Sequence, residues 1–289
     1  DDDGDGVNDT DDAFPLDPNG FVHISLGDGF QSGQSLDNAS IGSYSYGTCV
    51  ILDDSSVKCW GYNYYGNVGD GSATTQRYSP SDVLMPVGKI PRSLSNGPAS
   101  EHMCMVMTDG TLYCWGKNSA GQIGDGTKCS SNSYLNGCNG NVGRSSPVRV
   151  SLPTGMNASA VTTGEQHTCA IMADGSVWCW GSNIEGRLGV GNASAGTWSA
   201  SPTQALLPAG RTATAISAGR EHTCAVMDDN STVCWGNGQN YLLGQGNGNT
   251  SDSSIPVQIA SPGLRFISVS AGEWHTCAIT TSHELYCWG

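Results

Sequence analysis

The chain has 289 residues, among them 40 Gly and 12 Cys, and its 12 Lys and Arg against 26 Asp and Glu give a formal net charge of −14. That charge, with no basic stripe, repels phosphate backbones and excludes nucleic acid as a partner. No apolar run reaches the roughly 20 residues of a membrane-spanning helix, so this segment does not insert into a bilayer.

Acidic residues crowd the first twenty positions. The run Asp1-x-Asp3-x-Asp5-Gly6-x-x-Asp9-x-x-Asp12 puts side-chain oxygens at loop positions 1, 3, 5, 9 and 12, a Gly at 6, and the backbone carbonyl of Val7 at 7. This is the ligand register of a Ca2+ loop. Position 12 is Asp where an EF-hand has Glu, and Ala13-Phe14-Pro15-Leu16-Asp17-Pro18 follows. In that pattern the segment resembles a thrombospondin type 3 repeat, which implies a calcium-loaded extracellular stalk. Residues 1–20 are therefore read as a calcium-binding segment and residues 21–289 as a second domain. The chain starts on Asp1-Asp2-Asp3 and stops inside a recurring pattern at Cys287-Trp288-Gly289. It is expected to be an internal piece of a longer precursor.

Five segments then superpose on their cysteines. The first keeps Cys49, Cys59, Trp60 and Gly61 but has Gly47 where the later ones have His. The second has His102, Cys104, Cys114, Trp115 and Gly116, and alone carries an insertion over residues 128–144. The third reads Gly164-Glu165-Gln166-His167-Thr168-Cys169, then Ala173-Asp174-Gly175, then Cys179-Trp180-Gly181. The fourth and fifth repeat this with His222, Cys224 and Cys234, and with His275, Cys277 and Cys287. Successive first cysteines are 55, 65, 55 and 53 residues apart. In the third copy, residues 160–163, 168–172, 176–180 and 203–207 read as four strands, with Ala173-Asp174-Gly175 turning the central hairpin. Four-stranded antiparallel units at this period are the mark of β-propeller blades, and no helical period runs through any segment.

The recurring Gly-x-x-His-Thr-Cys-Ala, Asp-Gly, Cys-Trp-Gly-x-Asn and Ser-Pro elements resemble the regulator of chromosome condensation repeat over residues 41 to 289. The resemblance implies seven-bladed propellers, so the five copies are expected to be an incomplete ring. Repeat four departs from the pattern with Gly238 and Tyr241 in place of Asn and Gly.

Nine residues separate the paired cysteines of every repeat. If Met172 and Ser176 face each other across the hairpin loop, Cys169 faces Cys179 at a non-hydrogen-bonded site, close enough for a disulfide. The same reading pairs Cys49–Cys59, Cys104–Cys114, Cys224–Cys234 and Cys277–Cys287, and leaves Cys129–Cys138 for the insertion. Six disulfides imply an oxidising, extracellular or cell-surface setting.

His102, His167, His222 and His275 recur once per blade, so they read as architecture that satisfies backbone between blades rather than as a catalytic or metal set. Trp60, Trp115, Trp180, Trp235 and Trp288 read as inter-blade core. No catalytic motif is present, and the chain is expected not to be an enzyme; a propeller-type hydrolase or lyase and a guanine-nucleotide exchange regulator are the alternatives. Unrepeated features carry the functional expectation. Lys128, Tyr134, Leu135 and Arg144 on the insertion form a candidate partner-binding loop, with Trp198, Tyr62, Tyr64, Tyr65 and Tyr78 on neighbouring connections. The expected function is a secreted or surface-attached binding and adhesion module that engages a protein or glycan.

Overall fold

The computed structural model describes residues 25–26, 40–44, 46–73, 76–95, 97–129, 138, 142–192 and 197–289. Asp1, Asp3, Asp5, Val7, Asp9, Asp12, Tyr134 and Leu135 lie outside them.

Five successive antiparallel blades account for the described strands. Blade one holds β1 (Ser25–Leu26), β2 (Ser40–Tyr44), β3 (Gly47–Ile51), β4 (Val57–Tyr62) and β5 (Gln76–Asp82), with β1 added parallel to β2. Blade two is β6 (Pro91–Leu94), β7 (His102–Met107), β8 (Leu112–Lys117) and β9 (Gly143–Arg149). Blade three is β10 (Ala158–Thr163), β11 (His167–Met172), β12 (Val177–Ser182) and β13 (Trp198–Gln204). Blade four is β14 (Ala213–Ala218), β15 (His222–Met227), β16 (Thr232–Gly236) and β17 (Ser253–Gln258). Blade five shows β18 (Phe266–Ala271), β19 (Thr276–Thr280) and β20 (Leu285–Trp288). The fold is an all-β propeller.

The fourth strand of blade three starts and ends earlier than the sequence suggests, at Trp198 and Gln204, with Pro202 inside it. Pro80, Pro147 and Pro256 lie inside β5, β9 and β17 in the same way. Proline lacks the N–H that a central strand must donate, yet an outermost strand can turn that side to solvent.

The central hairpins have the expected register. Cys169 pairs with Cys179 across β11 and β12, flanked by Ala170 with Trp178 and Ile171 with Val177. All six disulfides form, with Cα separations of 4.0–4.1 Å in the five hairpins and 5.7 Å for Cys129–Cys138.

The core lies between the blades. Each joint gathers the hairpin disulfide of one blade and the Trp that follows the second cysteine of the next: Trp115, Trp180 and Trp235 are fully buried this way, and Trp288 partly. Each indole N–H donates to a loop carbonyl of the preceding blade, Asn67, Gln122, Arg187 and Leu242 in turn, at 2.7–3.0 Å. Fully burying a tryptophan contributes several kcal/mol only if that N–H keeps a partner, and the repeated carbonyl supplies one.

Histidine makes a second recurring tie, to a side chain and not to backbone as the sequence suggested. His102, His167 and His222 place Nε2 at 2.7, 2.9 and 2.8 Å from the hydroxyls of Thr168, Thr223 and Thr276, each on the next blade. The Thr168 hydroxyl donates to the Gln122 carbonyl, so it accepts from Nε2–H, and the His102 ring is the neutral tautomer protonated there. Burial drives the imidazole pKa down, to about 3 for His102, to about 4 for His222, and well below its ordinary value for His167.

The first joint lacks this tie on both sides at once, with Gly47 in place of the His and Met103 in place of the Thr. Volume is conserved within blade one. A Cβ on Gly164 would lie 2.1 Å from the His167 ring, while in blade one the large residue is Tyr44 and the small one is Gly47, whose added Cβ would lie 2.1 Å from the Tyr44 ring. The Tyr44 hydroxyl donates to the carbonyls of Trp60 and Tyr62, so it stays inside its own blade.

Candidate binding face

Antiparallel strands alternate in direction, so the turns after β2 and β4 of blade one and after the first and third strands of the later blades emerge at the same end of the sheets; we call this the upper face. The unrepeated residues collect there.

The insertion of blade two hangs from it. Lys128 extends over the ring of Trp198, the first residue of β13, with Nζ 4.6 Å from the ring centroid. Trp198 is 49% exposed. A cation over an indole face is worth about 0.5–1 kcal/mol at such an exposed site, and here it ties Lys128 to Trp198 across neighbouring blades.

Arg144 is a correction. It is 3% exposed, places Nε 3.0 Å and Nη2 2.5 Å from Oδ2 of Asp125, donates to Thr127, and lays Nη1 3.3 and 3.0 Å from the sulfurs of Cys129 and Cys138. A guanidinium buried and paired in this way does not reach a partner. Its counterpart is Arg77 in blade one, with Nε 2.6 Å from Asp70 and Nη2 on Ser72. In both blades Oδ1 of the Asp accepts from the N–H and hydroxyl of the Ser or Thr two residues on. The unit Asp-Gly-Ser/Thr…Arg is thus framework. The true insertion is residues 128–142, where blade one spans the same gap with residues 73–75.

The cations Lys117, Arg187 and Arg220 on this face were not singled out from sequence. Lys117 pairs with Glu101 and lies 4.9 Å from the Tyr65 ring centroid on the preceding blade. Arg187 bridges Glu185 of its own loop and Glu221 of the next blade. Arg220 joins Glu165 at 2.9 Å and Glu273 at 2.7 Å, linking blades three, four and five, and lies 5.0 Å from the Trp274 ring centroid. On blade one, Tyr62 contacts Tyr46, Tyr64 and Tyr65 with ring centroids 6.0–6.3 Å apart.

A close contact orders the outer part of this face. Gly66, Gly121 and Gly186 have φ near +80°, and a Cβ on each would come within 2.3–2.8 Å of the Cα of Ser145, Ala200 or Ser254 on the next blade's outermost strand. Backbone approaches backbone there, so the first position must be Gly and the second small. The rule fails at two places, both tyrosine. Tyr78 occupies the small position of blade one, and Tyr241 occupies the Gly position of blade four with φ +61°.

Among the described residues no group of three or more His, Cys, Asp or Glu is placed to hold a metal ion, and no helix is long and apolar enough to cross a membrane.

Comparison with known proteins agrees with this architecture. A profile of the Regulator of chromosome condensation (RCC1) repeat matches residues 109–171, 174–226 and 233–279. The Ultraviolet-B receptor UVR8 of Arabidopsis thaliana is 34% identical over 69% of this chain and 42% of its own length. The RCC1 domain-containing protein RUG3, mitochondrial, of the same plant is 28% identical over 83% of this chain and 51% of its own. The chain thus spans about half the length of these relatives. The crystal structure of Prp20p from Saccharomyces cerevisiae, a study that also describes its binding to Gsp1p and histones, superposes with a TM-score of 0.72 at 19% identity, covering 86% of this chain and 57% of that one.

Proposed function

The chain belongs to the regulator of chromosome condensation (RCC1) repeat family, and from that premise we propose that it is a non-catalytic binding propeller that works outside the cell and engages another protein through the upper face. The observation that carries the reading is the half-exposed Trp198 held under Lys128 at the root of a disulfide-closed insertion that no other blade shares. An aromatic anchor at the start of a strand, with a cation over it from the root of a cross-linked loop on the neighbouring blade, loses little conformational freedom on binding. The binding of Prp20p to Gsp1p and histones supports protein recognition by this fold. A working place outside the cytosol is supported by the six disulfides, because thiol–disulfide buffers keep cytosolic cysteines reduced. The relatives, mitochondrial RUG3 among them, favour an intracellular regulator instead, and the same disulfides weigh against that second reading.

We propose also that the carboxylates of Asp1, Asp3, Asp5, Asp9 and Asp12 and the carbonyl of Val7 hold Ca2+ in a stalk ahead of the propeller; the register of the sequence supports this.

A Lys128→Glu, Trp198→Ala variant tests the binding face. Proteins captured from the surrounding medium by the immobilised wild-type chain should be lost from the variant, while the melting temperature stays within about 2 °C, as for a surface change. Undiminished capture would overturn the proposal.

A further inference from the structure

The disulfide of the blade-two insertion differs from those that staple the hairpins. Both cysteines of each hairpin in blades one to four are 0% exposed and face each other in a β ladder. Such a pair, once reduced, is still held in register and closes again. Cys129 and Cys138 lie outside the strands and are 1% and 5% exposed. Blade two has a blade packed on either side of it, so this setting does not depend on an end of the chain.

A charged group is aimed at this disulfide. Arg144 is tied to Asp125 through Nε and Nη2, which fixes Nη1 at 3.3 Å from Sγ of Cys129 and 3.0 Å from Sγ of Cys138. Asn118 adds Nδ2 at 3.8 Å from Sγ of Cys129. A disulfide sulfur is a weak acceptor and a thiolate a strong one, so these N–H groups favour the reduced, ionised state. The Asp125 carboxylate cancels much of the cation's field at a distance, but not its directed N–H. The framework does not require the arrangement. Blade one builds the same pair from Arg77 and Asp70, with no cysteine in its short connection.

We propose that Cys129–Cys138 is a site of thiol–disulfide exchange with a dithiol reductant, and that its opening switches off protein binding through the insertion. The proposal rests on the reading of the insertion as a binding element and adds its regulation. A thiolate of the reductant attacks Sγ of Cys138, the more exposed residue, and forms a mixed disulfide. The S–S bond breaks, and its electron pair leaves on Cys129 as a thiolate that accepts from Nη1–H of Arg144. A stabilised leaving thiolate departs faster. The second thiol of the reductant loses its proton and displaces Cys138, which takes up a proton and leaves as a thiol. Two electrons pass from the dithiol, which ends as a disulfide, and one proton is released to solvent. The opened insertion regains conformational freedom, and ordering it again on a partner costs affinity. Lys128, next to Cys129, loses the fixed root that holds it over Trp198.

Dithiothreitol is the probe. The native chain is titrated with it, trapped with N-ethylmaleimide and mapped by peptide mass. Half-reduction of Cys129–Cys138 is expected at a concentration at least about tenfold below that of Cys104–Cys114, Cys169–Cys179 and Cys224–Cys234. In an Asp125→Asn, Arg144→Gln variant its midpoint should rise about tenfold while those of the hairpins stay where they were. Arg144→Lys keeps a cation on Asp125 but lacks the fork that reaches the sulfurs, and it serves if the double variant does not fold. Protein capture by the chain with this pair opened and alkylated should fall at least about tenfold. Reduction together with or after the hairpin pairs, an unmoved midpoint in the variant, or capture retained with the pair open would each overturn the proposal. Failure of the binding reading shows differently, as a chain that captures nothing before any dithiol is added.

Discussion

Acid should loosen the propeller through its three inter-blade histidines, and one substitution isolates the effect. Each ring is neutral and buried, and the folded pKa lies below the unfolded value of about 6.5. A depressed folded pKa means that the unfolded chain binds more protons once pH falls below 6.5, so stability is lost as pH falls and is regained above it. The window runs from 6.5 down to the folded values, about 4 for His222 and about 3 for His102. Its slope is roughly 1.4 kcal/mol per pH unit for each ring, so at pH 5 each costs about 2 kcal/mol and the three together about 6, against a typical total of 5–15. Urea unfolding of wild type and His167→Gln at pH 7 and pH 5 measures one ring, because carboxylate contributions cancel in the difference. The variant is expected to lose about 2 kcal/mol less than wild type over that interval. Equal losses in the two proteins would refute a neutral, buried His167.

The contact between Gly186 and Ser254 predicts opposite outcomes at equivalent positions. Gly186→Ala should destabilise by at least about 2 kcal/mol through backbone overlap, while Tyr241→Gly should stabilise by about 1 by relieving a left-handed tyrosine, both read by thermal melting. Thiol titration of denatured, unreduced protein from an oxidising compartment should find no free cysteine, and peptide mapping should join only the pairs within each hairpin and Cys129–Cys138. Hydrogen exchange with and without a chelator should change over residues 1 to about 18 and leave the blades as they were, because clustered carboxylates repel until a divalent ion lies among them.

The hairpins, their disulfides and the inter-blade tryptophans were legible in the sequence because each depends on a short, fixed spacing. Nine residues between cysteines leave one register for Cys169 and Cys179, and the burial of Trp180 follows from its recurrence. The fourth strand was misplaced because Pro202 reads as a breaker, and only its outermost position makes it harmless. The histidine partner was missed because the tie crosses to the next repeat; the clue was that Gly47 and Met103 depart from pattern together, one on each side of a joint. Arg144 was misread as part of the insertion, although Asp70-Gly71-Ser72…Arg77 and Asp125-Gly126-Thr127…Arg144 stand in register once the two repeats are aligned on their glycines. Its burial follows from the Asp it must neutralise. The upper-face ion pairs of Arg187 and Arg220 join residues from different blades at unequal offsets, and no single repeat displays them.

The proposed division of labour is that repeated residues build the propeller and the proposed binding residues are unrepeated; grafting the short connection of blade one into blade two tests that division most directly. Residues 128–142 are replaced by Ala-Thr-Thr, with Asp125, Thr127 and Arg144 kept, and melting temperature and protein capture are measured on the same preparation. The account predicts a melting temperature within about 2 °C of wild type and capture reduced at least about tenfold, the signature of a surface connection that carries an interface. A large fall in melting temperature with capture retained would contradict it.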